Sequence, residues 1–309
     1  MNSRLRLALA ALLTAALACG VNVGGSGQDI PATVNAISTA VQLTLDAQTA
    51  APSVGSATPT VQLPPTSIPL PTTPPAPAAS ATPLVVVTLP ADIARPNGPL
   101  LHAARRAAPP QIDGNLSEWG ALPNSISEIV FRPENWSGPA DQSVAYALAW
   151  DAANLYLAAH VTDDVHAQTQ LGDQIYKGDS LEILLDAELR GDYADANLSA
   201  DDYQLGLTPG EQKIGGPDAY LWFPARRAGR PEAAVSARQD ETGNGYYLEA
   251  AIPWSAFGLA PQGGERFGFA LSSSDNDTPG TAEQQSMIST APTRKLTDPT
   301  TWGTLVLDN

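Results

Sequence analysis

Three stretches of this sequence carry enough side-chain oxygen to hold a cation. "VTDD" ends an apolar run with Asp163 and Asp164, "SDND" ends another with Asp275, Asn276 and Asp277, and "DYADANLSADD" gathers four aspartates between positions 192 and 202. Calcium takes six to eight oxygens from flexible loops, so Asp163, Asp275 and Asp277 are candidate ligands of a structural calcium. None of the stretches has EF-hand spacing. Counted from Asp275, Pro279 falls where a ligand belongs and Ser286 where the closing bidentate acid should stand. The alternative is that these acids simply cap turns. Other chemistries find less support. Glycoside hydrolysis needs two carboxyl groups at a set separation across a cleft, and no spacing here singles out a pair. There is no G-x-S-x-G, and the single cysteine is Cys19, close to the N-terminus. Haem needs axial ligands such as His or Met; His102, His160, His166 and Met287 are scattered, no C-x-x-C-H occurs, and no haem is expected. The chain reads as a non-enzyme.

The acids are not spread evenly. The formal net charge is −16, and all but three of the 32 acidic residues lie beyond residue 100. That surplus argues against nucleic acid or anionic lipid as partners, because both require Lys and Arg to neutralise phosphate. Beyond residue 98 the chain is long enough to bury a full core without disulfides.

The first hundred residues read differently. Arg4 and Arg6 precede the apolar run "LALAALLTAALA", which has signal-peptide length and is too short to span a bilayer comfortably. The run ends on small residues at Cys19, and "AALAC" resembles the bacterial lipoprotein signal, which implies cleavage before a lipidated Cys19. The expectation is an exported protein, lipid-anchored at the cell surface, touching the membrane only through that anchor. Within segment 20–50, Asp29 is a candidate N-cap, and Ile30, Val34, Ile37, Val41 and Leu45 recur at helical spacing, which predicts one short helix. Residues 51–98 form a Pro/Thr/Ser/Ala-rich linker; 13 of the 28 prolines fall between 51 and 100. Such a segment lacks the amide donors for a hydrogen-bond ladder and is expected to extend as a semi-rigid stalk at about 3.1 Å per residue.

From residue 99 to 309 the pattern becomes one of short alternating runs. "VAYALAW" sets Val144, Tyr146, Leu148 and Trp150 on one face; "LYLAAHV" does the same with Leu155, Leu157, Ala159 and Val161; "SLEILL" turns Leu181, Ile183 and Leu185 inward and Glu182 outward. "YQLGL", "AYLWF", "YYLEAAI", "RFGFAL" and "GTLVL" follow, separated by turn residues such as "DAAN". Many short strands without a long helix predict an all-β antiparallel sandwich. Trp119, Trp150, Trp254 and Trp302 are read as core.

The order of "IDGNLSEW", "WDAANLYLAAHVTDD", "GDSLEILLD", "DDYQLGL", "GYYLEAAIPWSAFGL", "FGFALSSSDND" and "DPTTWGTLVL" resembles the family 9 carbohydrate-binding modules and the wider DOMON-like sandwich group, over about residues 110–309. The resemblance implies a site that holds a sugar between two aromatic rings, with polar side chains on its hydroxyls, and it makes structural calcium more expected. Carried over, the first ring falls on Tyr176, three residues before Asp179, and the acid on Glu182. The glutamine falls on Gln204. The arginine expected two residues later is Gly206, and no aromatic stands near "MISTAP", where the second ring belongs. Trp222, Tyr220 or Trp136 remain as sources of that ring, since an exposed tryptophan is costly without a contact. Two functions stay open: a non-catalytic carbohydrate-binding module on Tyr176, Glu182, Gln204 and Trp222, or a structural or protein-interaction sandwich that has lost the sugar site.

Overall fold

A computed structural model describes residues 92–309; Cys19, the expected signal segment, the helix near residues 29–47 and most of the proline-rich linker lie outside the described residues. The strands are β1 (Leu100–Arg105), β2 (Asn124–Ile126), β3 (Ile129–Phe131), β4 (Gln142–Trp150), β5 (Asn154–Asp163), β6 (Ser180–Asp186), β7 (Asp202–Thr208), β8 (Asp218–Phe223), β9 (Ala234–Gln239), β10 (Gly245–Pro253), β11 (Arg266–Asp275), β12 (Ser286–Ser289) and β13 (Gly303–Leu307). Among the described residues the α-helical content is one turn, α1 (Trp254–Phe257). Ten of the strands form one ladder, β8-β7-β6-β11-β13-β1-β4-β5-β10-β9, that folds over itself into a sandwich; off this path β2 pairs with β4, and β12 pairs with β11 and β3. Pairing is antiparallel except at β1, which runs parallel to both β13 and β4 and joins the two halves.

The alternation seen in the sequence decides which face each strand buries. Val144, Tyr146, Leu148 and Trp150 of β4, Leu155, Leu157 and Val161 of β5, and Leu181, Ile183 and Leu185 of β6 meet Tyr246, Leu248 and Ile252 of β10 in one apolar core. Burying each such side chain contributes about 1.5–3 kcal/mol. On the opposite face, Ala147 and Ala149 of β4 and Tyr156 and Ala158 of β5 meet Leu116 and Trp119, which close over them as a smaller cluster. That lid is fixed by a buried carboxylate. Glu249 accepts from Trp119 Nε1 at 2.7 Å and from the amides of Asp113 and Gly114 at 3.0 and 2.7 Å. Gly114 sits at φ +82°, as this turn requires. Trp150, Trp254 and Trp302 are also buried, each indole donating to a backbone carbonyl.

Residues 93–98, in which Ile93 and Arg95 are buried, run against β11 and β13: the Arg95 amide donates to Thr304 Oγ1 and Arg266 donates to the carbonyl of Ile93. Asn97 donates to the carbonyls of Thr300 and Trp302. Strand β6 carries an aspartate at each end: Asp179 just before it and Asp186 as its last residue.

Candidate functional site

Tyr176 lies in a 3-10 turn, Gly172–Lys177, that leads into β6. Gly172 starts the turn at φ +64°, and its amide donates to Asp218 Oδ2 at 2.8 Å. Arg230 holds that carboxylate in turn, at 2.8 Å. Ile175 points into the interior and leaves Tyr176 half-buried at the surface.

Trp222 comes from strand β8, whose Ala219 and Leu221 face the core; it does not come from a loop. Its indole donates to the carbonyl of Asp173 at 2.9 Å, which ties β8 to the Tyr176 turn. The rings of Tyr176 and Trp222 stand 6.2 Å apart at 75°, and Tyr220 adds a third ring 5.7 Å from Trp222. A sugar clamped between two faces needs two stacking contacts of about 3.5–4.0 Å each between near-parallel planes. Edge-to-face rings at 6.2 Å leave no such slot. The aromatics form a one-sided, angled platform. Trp136, the other tryptophan considered for the ring, packs on the main core with its indole on the carbonyl of Gln142.

A polar wall adjoins the platform. Glu182 of β6 stands directly across from Gly206 of β7, and Gln204 lies two residues away. Gln204 Nε2 donates to Glu182 Oε2 at 2.7 Å, and Arg294 Nη2 donates to Glu182 Oε1. The Glu182 and Arg294 side chains are only 7% and 10% exposed, so both carboxylate oxygens are engaged and largely covered. Glu182 is outward of the core, as its place in "SLEILL" implies, but is not solvated. Arg294 was not visible in the sequence as a site residue. It belongs to the loop beyond β12, the region where a ring was expected and none stands. It brings a guanidinium to the wall that Gly206 does not supply.

The acids gather as well, in a different grouping from the one the loops suggested. Asp275 and Asp277 share a site with Asp141, from the turn before β4, their ligand oxygens all within 4.8 Å. Asp163 instead joins His166 and Asp179. His166 Nδ1 lies 2.8 Å from Asp179 Oδ2 and 3.8 Å from Asp163 Oδ2. Burial works against the imidazolium, but the neighbouring carboxylates of Asp163 and Asp179 outweigh it and hold His166 up at about 10. Asp179 is more than the turn cap its position suggested: it also accepts from the amides of Ala167 and Asn276. Burial raises Asp179, while His166 and these amide bonds favour its carboxylate, so the shared proton rests on His166. The two groups are electrically one. Burial pushes Asp275 up to about 9, and Asp179, Asp277, Asp163 and Asp141 add to the shift. Asp163 Oδ2, Asp277 Oδ1 and the Tyr246 hydroxyl are buried with no hydrogen-bond partner. Asp163, Asp275 and Asp277 therefore surround one acidic region, divided between two neighbouring ligand sets.

Residues 112–309 match the family described as "Carbohydrate family 9 binding domain-like". The chain belongs to this family. Among solved structures, a family 9 carbohydrate-binding module from Caldicellulosiruptor kristjanssonii in complex with glucose is 19% identical, with a TM-score of 0.51, covering 68% of this chain and 96% of that one. The same organism's module in complex with cellotriose is 20% identical, with a TM-score of 0.49, covering 68% and 94%. At these identities the likeness bears on the fold alone. No curated protein matches the chain. The family 9 match covers every strand from β2 to β13 and every residue of the platform and wall.

Proposed function

We propose that the family 9 domain of this protein binds carbohydrate without catalysis, on the platform of Tyr176 and Trp222 beside the Gln204–Glu182–Arg294 wall. One observation carries the reading: two half-buried rings from separate elements and a connected set of hydroxyl-binding groups lie side by side on β6, β7 and β8 in a chain of this family. A pyranose offers an apolar face to an aromatic ring and hydroxyls to an amide, a carboxylate and a guanidinium. The relatives in the solved structures are complexes with glucose and cellotriose; a neutral glucan is accordingly the first ligand to test. Retention of the wild-type chain on a broad glycan panel, lost in Trp222→Ala with a cooperative urea transition retained, is the expected result.

A second reading has its own support. Both Glu182 oxygens are already occupied, and no ring opposes Tyr176, as would follow in a sandwich kept for structure or protein contact after loss of the sugar site. An empty panel for the wild-type chain decides for it.

The same proposal places the domain outside the cell on a lipidated Cys19 and a proline-rich stalk. Cys19→Ser is expected to release the protein into the soluble fraction; a variant that still sediments with membranes contradicts the anchor. It also assigns a structural calcium to Asp275 and Asp277, joined by Asp141, with Asp163 bordering the site.

A further inference from the structure

The outer face of β8 carries a second ring beside Trp222. Ala219 and Leu221 turn into the core, which leaves Asp218, Tyr220 and Trp222 together on the other face, each partly exposed. Tyr220 stands directly across from Gly206, and Gly206 directly across from Glu182. These three positions make one row across β8, β7 and β6, and the Trp222 indole fills the space over Gly206. A line from Tyr220 over Trp222 therefore runs into the Gln204–Glu182–Arg294 wall. At the other end of the line, β8 closes the ladder.

The rings along this line do not share a plane. Tyr220 and Trp222 are 5.7 Å apart and tilted by 57°, and Trp222 and Tyr176 are 6.2 Å apart and tilted by 75°. The scaffold fixes these tilts. The Trp222 indole donates to the carbonyl of Asp173, and the Gly172 amide donates to Asp218, so the Tyr176 turn is fastened to β8 at two points. Arg230 grips Asp218 through Nε and Nη2 at 2.9 and 2.8 Å. Lys177 Nζ lies 5.8 Å from the Tyr176 centroid, at the outer limit of about 6 Å for a cation–π contact, so a sugar face displaces it at little cost.

A pyranose gains from an aromatic ring only when its apolar face lies flat on it, with carbon–carbon contacts of about 3.5–4.0 Å. In an extended ribbon of the cellulose type, successive sugar faces are parallel. Such a ribbon can cover one of these rings and must stand off the next. A chain that turns between units, of the amylose or laminarin type, offers successive faces at an angle and can cover two. Resting on the carbohydrate-binding reading above, we propose that this site selects a coiled glucan over a flat one. Trp222 and the wall hold one sugar, and Tyr220 holds the next as a specificity-determining residue. The fixed tilt then acts as a filter: a straight chain would have to bend to reach both rings, and the energy of bending is subtracted from its binding.

The test uses the full-length chain in affinity electrophoresis against soluble amylose, laminarin and hydroxyethyl cellulose, with sedimentation on microcrystalline cellulose for the flat surface. Retention by at least one coiled glucan should exceed that by hydroxyethyl cellulose about tenfold or more. Titrations followed by nuclear magnetic resonance, with glucose and with a longer oligosaccharide of the preferred glucan, then test Tyr220. Tyr220→Ala should weaken the oligosaccharide about tenfold and leave glucose unchanged, while Tyr220→Phe, which keeps the ring, should match wild type. The polymer comparison needs only the wild-type chain, so a variant that does not fold leaves it intact. Equal or stronger retention on either cellulose overturns the selection for coiled chains and leaves carbohydrate binding standing. An undiminished oligosaccharide affinity in folded Tyr220→Ala overturns the part given to that ring. No retention on any polymer and no response to glucose overturns both this proposal and the carbohydrate reading beneath it.

Discussion

The indole of Trp222 rests on Gly206, and a Cβ at that position would collide with the ring and with Ile175. The two residues are therefore exclusive choices. A strand residue at 206 that carried a long polar side chain would displace the tryptophan, and the tryptophan can lie across β7 only because position 206 is bare. This explains why the arginine implied by the family resemblance is missing from β7 and why a guanidinium reaches the wall from Arg294 instead.

Gly206→Ala should force the indole off its seat. Overpacking of this kind costs roughly 1–3 kcal/mol, and the displaced ring should take glycan retention with it. Denaturant melts of the variant, paired with the retention assay, check both effects. Full stability with full retention would mean that Trp222 is not held by this contact.

The Arg294–Glu182 pair makes a sharper energetic statement. Removing one partner of a nearly covered ion pair strands the other charge, at a cost of about 3–5 kcal/mol where burial is complete and less where water still reaches it. Arg294→Ala is expected to destabilise by about 2–3 kcal/mol, and Glu182→Gln by less, since a neutral amide still bonds to Gln204. The double variant should recover part of the loss. A cycle of the two single variants and the double, followed in urea, should return a coupling above ~1 kcal/mol; additive losses would show that the contact contributes nothing in solution.

The pH dependence follows from the buried acids. Asp275 is raised from 3.8 to about 9, first by burial and then by neighbouring aspartates, and Asp277 to about 6. A raised carboxyl holds its proton more tightly folded than unfolded, so stability falls as pH climbs from about 4 through 9. His166 acts in the same sense: its stabilising ion pairs are fully present below about 6.5 and fade as pH approaches 10. In chelator, the melting temperature should drop steadily between pH 5 and 8.5, and saturating calcium should flatten the curve. Asp275→Asn should flatten it without calcium. Equal slopes for variant and wild type in chelator would remove Asp275 from the account.

Much of the sandwich was legible because its longer strands alternate strictly. β4, β5, β6 and β10 each bury the residues that a period of two selects. β2, β3 and β12, at three to four residues, are too short to show any period. The parallel placement of β1 depends on partners about 200 residues away in β13. The site divides the same way. Tyr176, Glu182 and Gln204 lie on or beside patterned strands and could be placed by family resemblance. Arg294 arrives across 112 residues of sequence, from a loop with no pattern of its own. Asp141, His166 and Asp179 join the acidic groups only when three chain segments converge. No local signal distinguishes them from ordinary turn acids. Glu249 shows the same gap: in "YYLEAAI" it reads as an outward strand residue, yet it holds Trp119 and the 113–115 turn.

Glu249→Ala should accordingly behave as a core variant. It leaves the Trp119 indole and two amides without their acceptor, each worth about 1–3 kcal/mol when buried. A loss of roughly 3 kcal/mol is expected, with a change in the near-ultraviolet signal of Trp119. Glu249→Gln, which keeps one acceptor oxygen, should lose clearly less. Equal losses for the two variants would show that the hydrogen bonds are not what fixes the lid.

The decisive variant for function is Tyr176→Ala. The ring is half-buried and lies edge-on to Trp222, while Ile175, its neighbour in the turn, carries the burial. Removing an exposed ring face should leave the fold intact, with a stability loss of about 1 kcal/mol for the edge-to-face contact. A one-sided platform with few free hydroxyl partners should bind weakly, at roughly millimolar to tens of micromolar, or about −4 to −6 kcal/mol. Loss of one stacked ring from so small a total should abolish measurable retention. Leu181, Ile183 and Leu185 face the core, so conservative changes there should alter stability and not the glycan profile. Glu182→Gln should weaken retention less than Tyr176→Ala, because both of its oxygens already serve Gln204 and Arg294 and its part is to orient them. Affinity electrophoresis against soluble glucans, run beside urea melts, separates these effects. Retention that survives Tyr176→Ala in a folded protein would move the ligand off this face, and a variant that unfolds would make the turn a structural start to β6 and nothing more.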